Sequence, residues 1–326
     1  VKERITMHVT ETMIDPGLRR AAAVLGRAAG RARTVDDLRK PTPIMDRIAR
    51  AVPIGGIRRR ERWITRRDGS PLRVLIVTGP DPAPEAAGIL WIHGGGYAMG
   101  APEWEIAAMR RLVRTGNCVI VSPDYRLSRL APYPAALEDC YDVLLWLRDH
   151  ADELGVRPDR LAVGGASAGG GLTAAVSLYA RDHGEVAIAF QMPIYPMIDD
   201  RGRTDSAVDN NAPVWDAVTN ESAWRLYLGD LYGGNVPAYA APARAADFTG
   251  LPPTISFVGG IEPFRDETIA YVDALRAAGV PVEFQLFPGA FHGFDAAVWT
   301  PIAKRATAFL LDRFDHALRT HRAPQP

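Results

Sequence analysis

Residues 160–180 read RLAVGGASAGGGLTAAVSLYA, and the one hydroxyl among the glycines and alanines around position 167 belongs to Ser167. Its pentapeptide, Gly165-Ala166-Ser167-Ala168-Gly169, has the G-x-S-x-G spacing. Side chains reduced to hydrogen or methyl let a strand turn sharply into a helix and leave the serine at the tip of a strained turn. The alternative reading of Ser167 is as the N-cap of that helix, which the strand–turn–helix context makes the lesser one. As a nucleophile it needs a base. Four histidines follow it, His183, His292, His316 and His321. Only His292, in FQLFPGAFHGF, stands in a loop directly after a strand-like run. A carboxylate must orient that base and stabilise its imidazolium. The run TISFVGGIEPFRDE offers Glu262 just past a strand, with Asp266 a turn later. Glu262 is preferred because Asp266 has a competing role as a helix cap; Asp266 stays open as the alternative. A second glycine run, His93-Gly94-Gly95-Gly96-Tyr97, follows the apolar run GILWI. Such a run can aim two backbone N–H groups at one oxyanion, each worth roughly 3–4 kcal/mol in acyl transfer.

Positioning these residues takes strand ends, and the sequence supplies eight candidate strands. RRERWITRR and LRVLIVTG are joined by Asp68-Gly69, a hairpin signal. GILWIHGG, CVIVSPDY, RLAVGG, AIAFQMPIY, PTISFVGG and PVEFQLFPG then alternate with helical stretches, at 103–115, 134–154, after Ser167 and at 266–278. That alternation predicts an α/β protein with a mostly parallel sheet flanked by helices on both faces. Two segments stand outside it. Residues 1–55 are helical and arginine-rich; residues 197–250 form an insertion carrying Trp215, Trp224 and several tyrosines. Together they are expected to make a helical cap over a core formed by residues 56–196 and 251–326.

Bulk composition narrows the partners. The chain has 326 residues, 47% of them hydrophobic, with 38 Lys+Arg against 38 Asp+Glu. Zero net charge argues against nucleic acid or a membrane surface as a partner held by bulk charge. Cys118 lies in an apolar strand and Cys140 in a helix, so both read as reduced core residues. Neither a membrane-length apolar run nor a signal-type start is evident, and a cytoplasmic location is expected. No metal-binding spacing and no dinucleotide motif is present, so neither metal nor cofactor is expected.

Five segments in order, HGGGYAMG at 93–100, SPDYRLSRLAPYPAALEDC at 122–140, GGASAGGG at 164–171, EPFRDE at 262–267 and HGF at 292–294, resemble the hormone-sensitive-lipase-like (family IV) carboxylesterases of the α/β-hydrolase superfamily. The resemblance implies the α/β-hydrolase fold, an eight-stranded sheet, a cap, and cofactor-free hydrolysis of short-chain carboxylic esters. Carried over by position, the oxyanion donors are the N–H groups of Gly95, Gly96 and Ala168, while His93 shapes the loop without transferring protons. Three departures stand out. Ala166 replaces the Asp or Thr common before the nucleophile, Glu262 replaces the usual Asp, and SRLAPYP lacks the Glu of the usual APEHPFP.

Substrate contacts are expected from Tyr97, Tyr195 and Trp215, with Met99, Met197, Trp224 and Tyr227 also near the pocket. Aromatic residues in such an insertion more often pack internally than touch substrate. The competing reading is a non-catalytic small-molecule receptor on the same fold. His292 weighs against it, since it completes a triad with Ser167 and Glu262. The run PVEFQLF could form a sheet edge available to a homodimer.

Overall fold

In the computed structural model the described residues are 6–29, 33–51 and 54–326. The parts of the expected N-terminal helical segment that fall at 1–5, 30–32 and 52–53 lie outside them. Eight strands form one sheet: β1 (Arg58–Thr65), β2 (Pro71–Thr78), β3 (Ala86–Ile92), β4 (Cys118–Pro123), β5 (Val156–Ala166), β6 (Phe190–Ile194), β7 (Thr254–Gly259) and β8 (Val282–Phe287). Their order is β1-β2-β4-β3-β5-β6-β7-β8. β2 runs antiparallel to both β1 and β4, and every later pairing is parallel. The hairpin between β1 and β2 closes through Asp68-Gly69, with Gly69 at φ +84° and Arg66 N–H donating to Ser70 O at 2.8 Å.

The parallel strands β3, β4, β6 and β7 inside the sheet are buried on both faces, which is why they read as continuous apolar runs, whereas the edge strand β8 is partly exposed. β3 and β4 are buried at every position. β2 shows how the pleat divides its side chains. Leu72, Val74 and Ile76 join the core on one face of the sheet, and Leu75 and Val77 the core on the other. The first core is closed by α5 (Ala135–Asp149) and α6 (Ala168–His183), the second by α4 (Ile106–Thr115) and α9 (Pro301–Thr320). α8 (Arg265–Ala277) packs through Tyr271 and Leu275 against Ala174 and Leu178 of α6. It ends at Gly279, φ +80°, which turns the chain into β8. Cys118 and Cys140 are buried and unpaired with each other.

Among the described residues three α-helices precede the sheet: α1 (Arg19–Ala29), α2 (Val35–Leu38) and α3 (Pro43–Ala51). Between β6 and β7 the chain leaves the sheet for residues 195–253 and forms α7 (Ala217–Leu228). The two excursions touch. Leu38 of α2 shares a core with Trp224 and Tyr227 of α7. Met7 N–H donates to Asp205 O at 3.1 Å, and Arg33 pairs with the buried Asp216 at 3.0 Å. Among the described residues no helix is long and apolar enough to cross a membrane.

Candidate active site

Ser167 sits between the last residue of β5 and the first of α6, at φ +60° and ψ −121°. A non-glycine residue there is strained, and such strain persists only where the surroundings over-determine it. The surroundings here are backbone. Ser167 N–H donates to Ile194 O at 3.0 Å, and Met197 N–H donates to Ser167 O at 3.0 Å. A methyl on Gly165 would lie 2.4 Å from Ile92 O, and one on Gly169 only 2.0 Å from that same oxygen. The glycines flanking the serine are therefore imposed by strand β3 pressing on the turn.

From the end of β3 the loop 93–100 lies over the serine. A Cβ on Gly94 would sit 3.3 Å from Ser167 Cβ. Gly95 (φ +119°) and Gly96 (φ +58°) take conformations that suit glycine. A side chain on the first would strike Met99 O at 2.2 Å, and one on the second the Trp215 indole at 2.3 Å. Among the described residues, the N–H groups of Gly95 and Gly96 have no backbone acceptor. Ala168, the first residue of α6, has a helix N-terminal N–H with no intrahelical partner. His93 is fully buried, stacks on Tyr125 at 4.2 Å, and its Nδ1 lies 2.8 Å from Gly94 O. Tyr125 O–H donates to His93 O at 3.1 Å. This histidine is part of the loop's frame, and burial pushes its pKa down.

His292 follows β8, with its Nε2 2.8 Å from Ser167 Oγ and its Nδ1 2.5 Å from Glu262 Oε2. Glu262 follows β7 and is completely buried. Its other oxygen accepts the Gly259 N–H at 2.6 Å. Burial pushes the Glu262 carboxyl up, against the pull of His292 and of that N–H. Asp266, the alternative acid, is placed elsewhere. It lies in the first turn of α8, whose N-cap is Phe264, so the helix-cap role expected for it is not the one it takes. Its carboxylate accepts the Ser206 N–H at 2.8 Å and pairs with Arg265 at 2.6 Å. Its own N–H donates to Ser206 Oγ at 3.0 Å. Asp266 thus ties the excursion after β6 to α8.

The three expected substrate contacts divide. Trp215 is brought to the site: its indole covers Gly96 and lies 6.2 Å from the His292 ring. It is presented by a γ-turn, in which Trp215 N–H donates to Pro213 O at 2.9 Å across Val214 at φ +74°. A β-branched residue in that region is a genuine outlier. Tyr97 is not at the site surface. It is 1% exposed, stacks on Tyr227 at 3.9 Å, and gives its hydroxyl to Met197 O at 2.7 Å. It props the glycine loop from beneath. Tyr195 stands beside His292, ring centroids 4.9 Å apart, and its hydroxyl donates to Asp295 at 2.9 Å. Asp295 carried no signal in the sequence beyond its place three residues after His292. Trp224 and Tyr227 are buried packing residues, as is usual for aromatics in an insertion. Among the described residues no cluster of three or more His, Cys, Asp or Glu side chains could hold a metal ion.

A mostly parallel sheet whose strand ends bring a serine on a strained turn, a histidine and a carboxylate into one hydrogen-bonded row defines an α/β-hydrolase. The chain belongs to that family: the model of the alpha/beta hydrolase fold matches residues 89–296. Within it, the chain is a hormone-sensitive-lipase-like carboxylesterase, as its motifs imply. It is 34% identical over 302 residues to esterase LipI of Mycobacterium tuberculosis, covering 84% of this chain and 94% of that protein. It is 35% identical over 237 residues to carboxylesterase NlhH of the same species, covering 71% of this chain and 73% of that one. Among solved structures, a bacterial heroin esterase superposes with a TM-score of 0.87 at 36% identity, covering 96% of this chain and all (100%) of that one.

Proposed function

We propose that this protein hydrolyses short-chain carboxylic esters through an acyl-enzyme, with Ser167 as nucleophile, His292 as base and Glu262 as the acid that orients it. The observation that carries the reading is the row of two hydrogen bonds meeting at His292, 2.8 Å to Ser167 Oγ and 2.5 Å to Glu262 Oε2. Ser167 Oγ attacks the ester carbonyl carbon as its proton passes to His292 Nε2. Negative charge then develops on the carbonyl oxygen, which the N–H groups of Gly95, Gly96 and Ala168 receive. Glu262, at Nδ1, stabilises the imidazolium. The tetrahedral intermediate collapses, the alcohol leaves with the proton from Nε2, and an acyl-Ser167 remains. Water, giving its proton to the same nitrogen, repeats the sequence and frees the acid.

The N-terminal helices and the excursion after β6 act as a cap, with Trp215 the residue that closes on the oxyanion loop. Preference for short acyl chains follows from that closure. Support comes from the names of the similar proteins, esterases and carboxylesterases. The test is turnover of short p-nitrophenyl esters by wild type and by Ser167→Ala. Wild type hydrolyses them, and the variant loses on the order of 10⁴-fold or more in kcat. Undiminished turnover by Ser167→Ala overturns the assignment.

A further inference from the structure

We propose that Tyr195 and Asp295 form a positioning pair for the imidazole of His292, an inference that rests on reading His292 as the base. Hydrogen bonds at Nδ1 and Nε2 fix a line through the ring but leave it free to rotate about that line. Two aromatic rings oppose that rotation. Tyr195 lies 4.9 Å from the imidazole centroid at 75°, and Phe264 lies 5.0 Å away at 90°. Tyr195 is itself held in an unusual backbone conformation, φ +32°, with its N–H on Phe257 O at 2.9 Å. Its hydroxyl donates to Asp295 Oδ1 at 2.9 Å. Asp295 lies three residues beyond His292, in the short turn Phe294–Ala296. One hydrogen bond thus ties the loop bearing the base to the residue that walls the base, anchored on the sheet. Non-glycine strain of this kind, next to a site, is the kind that function retains.

Asp295 also brings charge. It borders a cavity of about 30 Å³ with Tyr195, Glu105 and Arg111. Burial pushes its carboxyl up, against the pull of the Tyr195 hydroxyl, Arg111 and His292. Burial first, and the Asp295 carboxylate after it, push Glu105 up to about 7; burial likewise raises Glu262, with Asp295 adding a smaller push. The groups facing it are therefore Tyr195, Glu105, Arg111, Glu262 and His292.

The test uses the full chain, with p-nitrophenyl butyrate hydrolysis followed across roughly pH 5 to 9. Tyr195→Phe keeps the ring and loses the tie; its kcat is expected to fall about five- to tenfold with KM within about twofold. Asp295→Leu removes the acceptor and is expected to lose as much kcat as Tyr195→Phe, while Asp295→Asn, which keeps an acceptor oxygen, restores most of it. A tie that only stabilised the fold would lower the unfolding midpoint and leave kcat in place. With Ser167→Ala inactive, wild-type kcat in Tyr195→Phe or in Asp295→Leu overturns the pair. Should Tyr195→Phe not fold, the kcat of Asp295→Leu against that of Asp295→Asn decides. Full turnover by Ser167→Ala instead overturns the reading of His292 as base, and the pair with it.

Discussion

The strand-end loops and the excursion after β6 meet over Gly96 and are built by opposite means. At 93–96 and 164–171 the chain works by removing side chains. Methyl groups at Gly95 and Gly169 would come within 2.2 and 2.0 Å of backbone oxygens, which cannot yield. In the excursion it works by bulk. Trp215 covers Gly96 from a strained γ-turn, while Trp224 and Tyr227 fill the space behind. Chemistry set by backbone closeness has little room to vary. Selectivity set by packed aromatic rings can change by repacking. The proposed catalytic geometry is thus the fixed part of the molecule and the proposed pocket wall the adjustable one.

The largest expected effect lies in the fixed part. Glu262→Gln should lower kcat by about 10³–10⁴-fold, the scale for an orienting acid replaced by its amide. Asp266→Asn, only four residues on but bonded to Ser206, should leave kcat within about threefold. Equal losses from the two would erase the distinction between the acid of the site and the acid that anchors the cap. Next comes Gly169→Ala, expected to cost about 1–3 kcal/mol of stability, read by denaturant unfolding. Gly55→Ala, with nothing within 4 Å of its new methyl, is the control that should not. The smallest effect is expected in the cap. Trp215→Ala should raise kcat/KM for C8 relative to C4 p-nitrophenyl esters by roughly tenfold, the scale of a few methylenes in an apolar pocket. An unchanged ratio would move the selectivity wall elsewhere.

Much of the fixed part was legible in the sequence because its physics is local. Eight strands, the Asp68-Gly69 hairpin and the serine's turn are each marked by residues adjacent in the chain. Glu262, read from its place directly after a strand, is hydrogen-bonded to His292, while Asp266 is bonded to Ser206 and does not take the cap role expected for it. The cap's aromatics were less so. Tyr97 and Trp215 carry the same kind of signal, yet one is a buried prop and the other a wall, and only the packing of α7 decides which. Asp295 and Glu267 were missed for a related reason. Glu267 is buried, accepts the N–H groups of Ile198 and Asp199 at 2.9 and 3.2 Å, and is pushed well above the usual carboxylate range by that burial. Its partners lie 69 and 68 positions away in the chain, a distance no local pattern spans.

The most direct test of the account is covalent trapping with a p-nitrophenyl alkylphosphonate, read by mass spectrometry of the digested protein. The account requires one equivalent of nitrophenolate released, one phosphonyl group on the peptide holding Ser167, and esterase activity lost in proportion. Full activity in protein exposed to the reagent, with the label absent from Ser167 or carried by another residue, would contradict it.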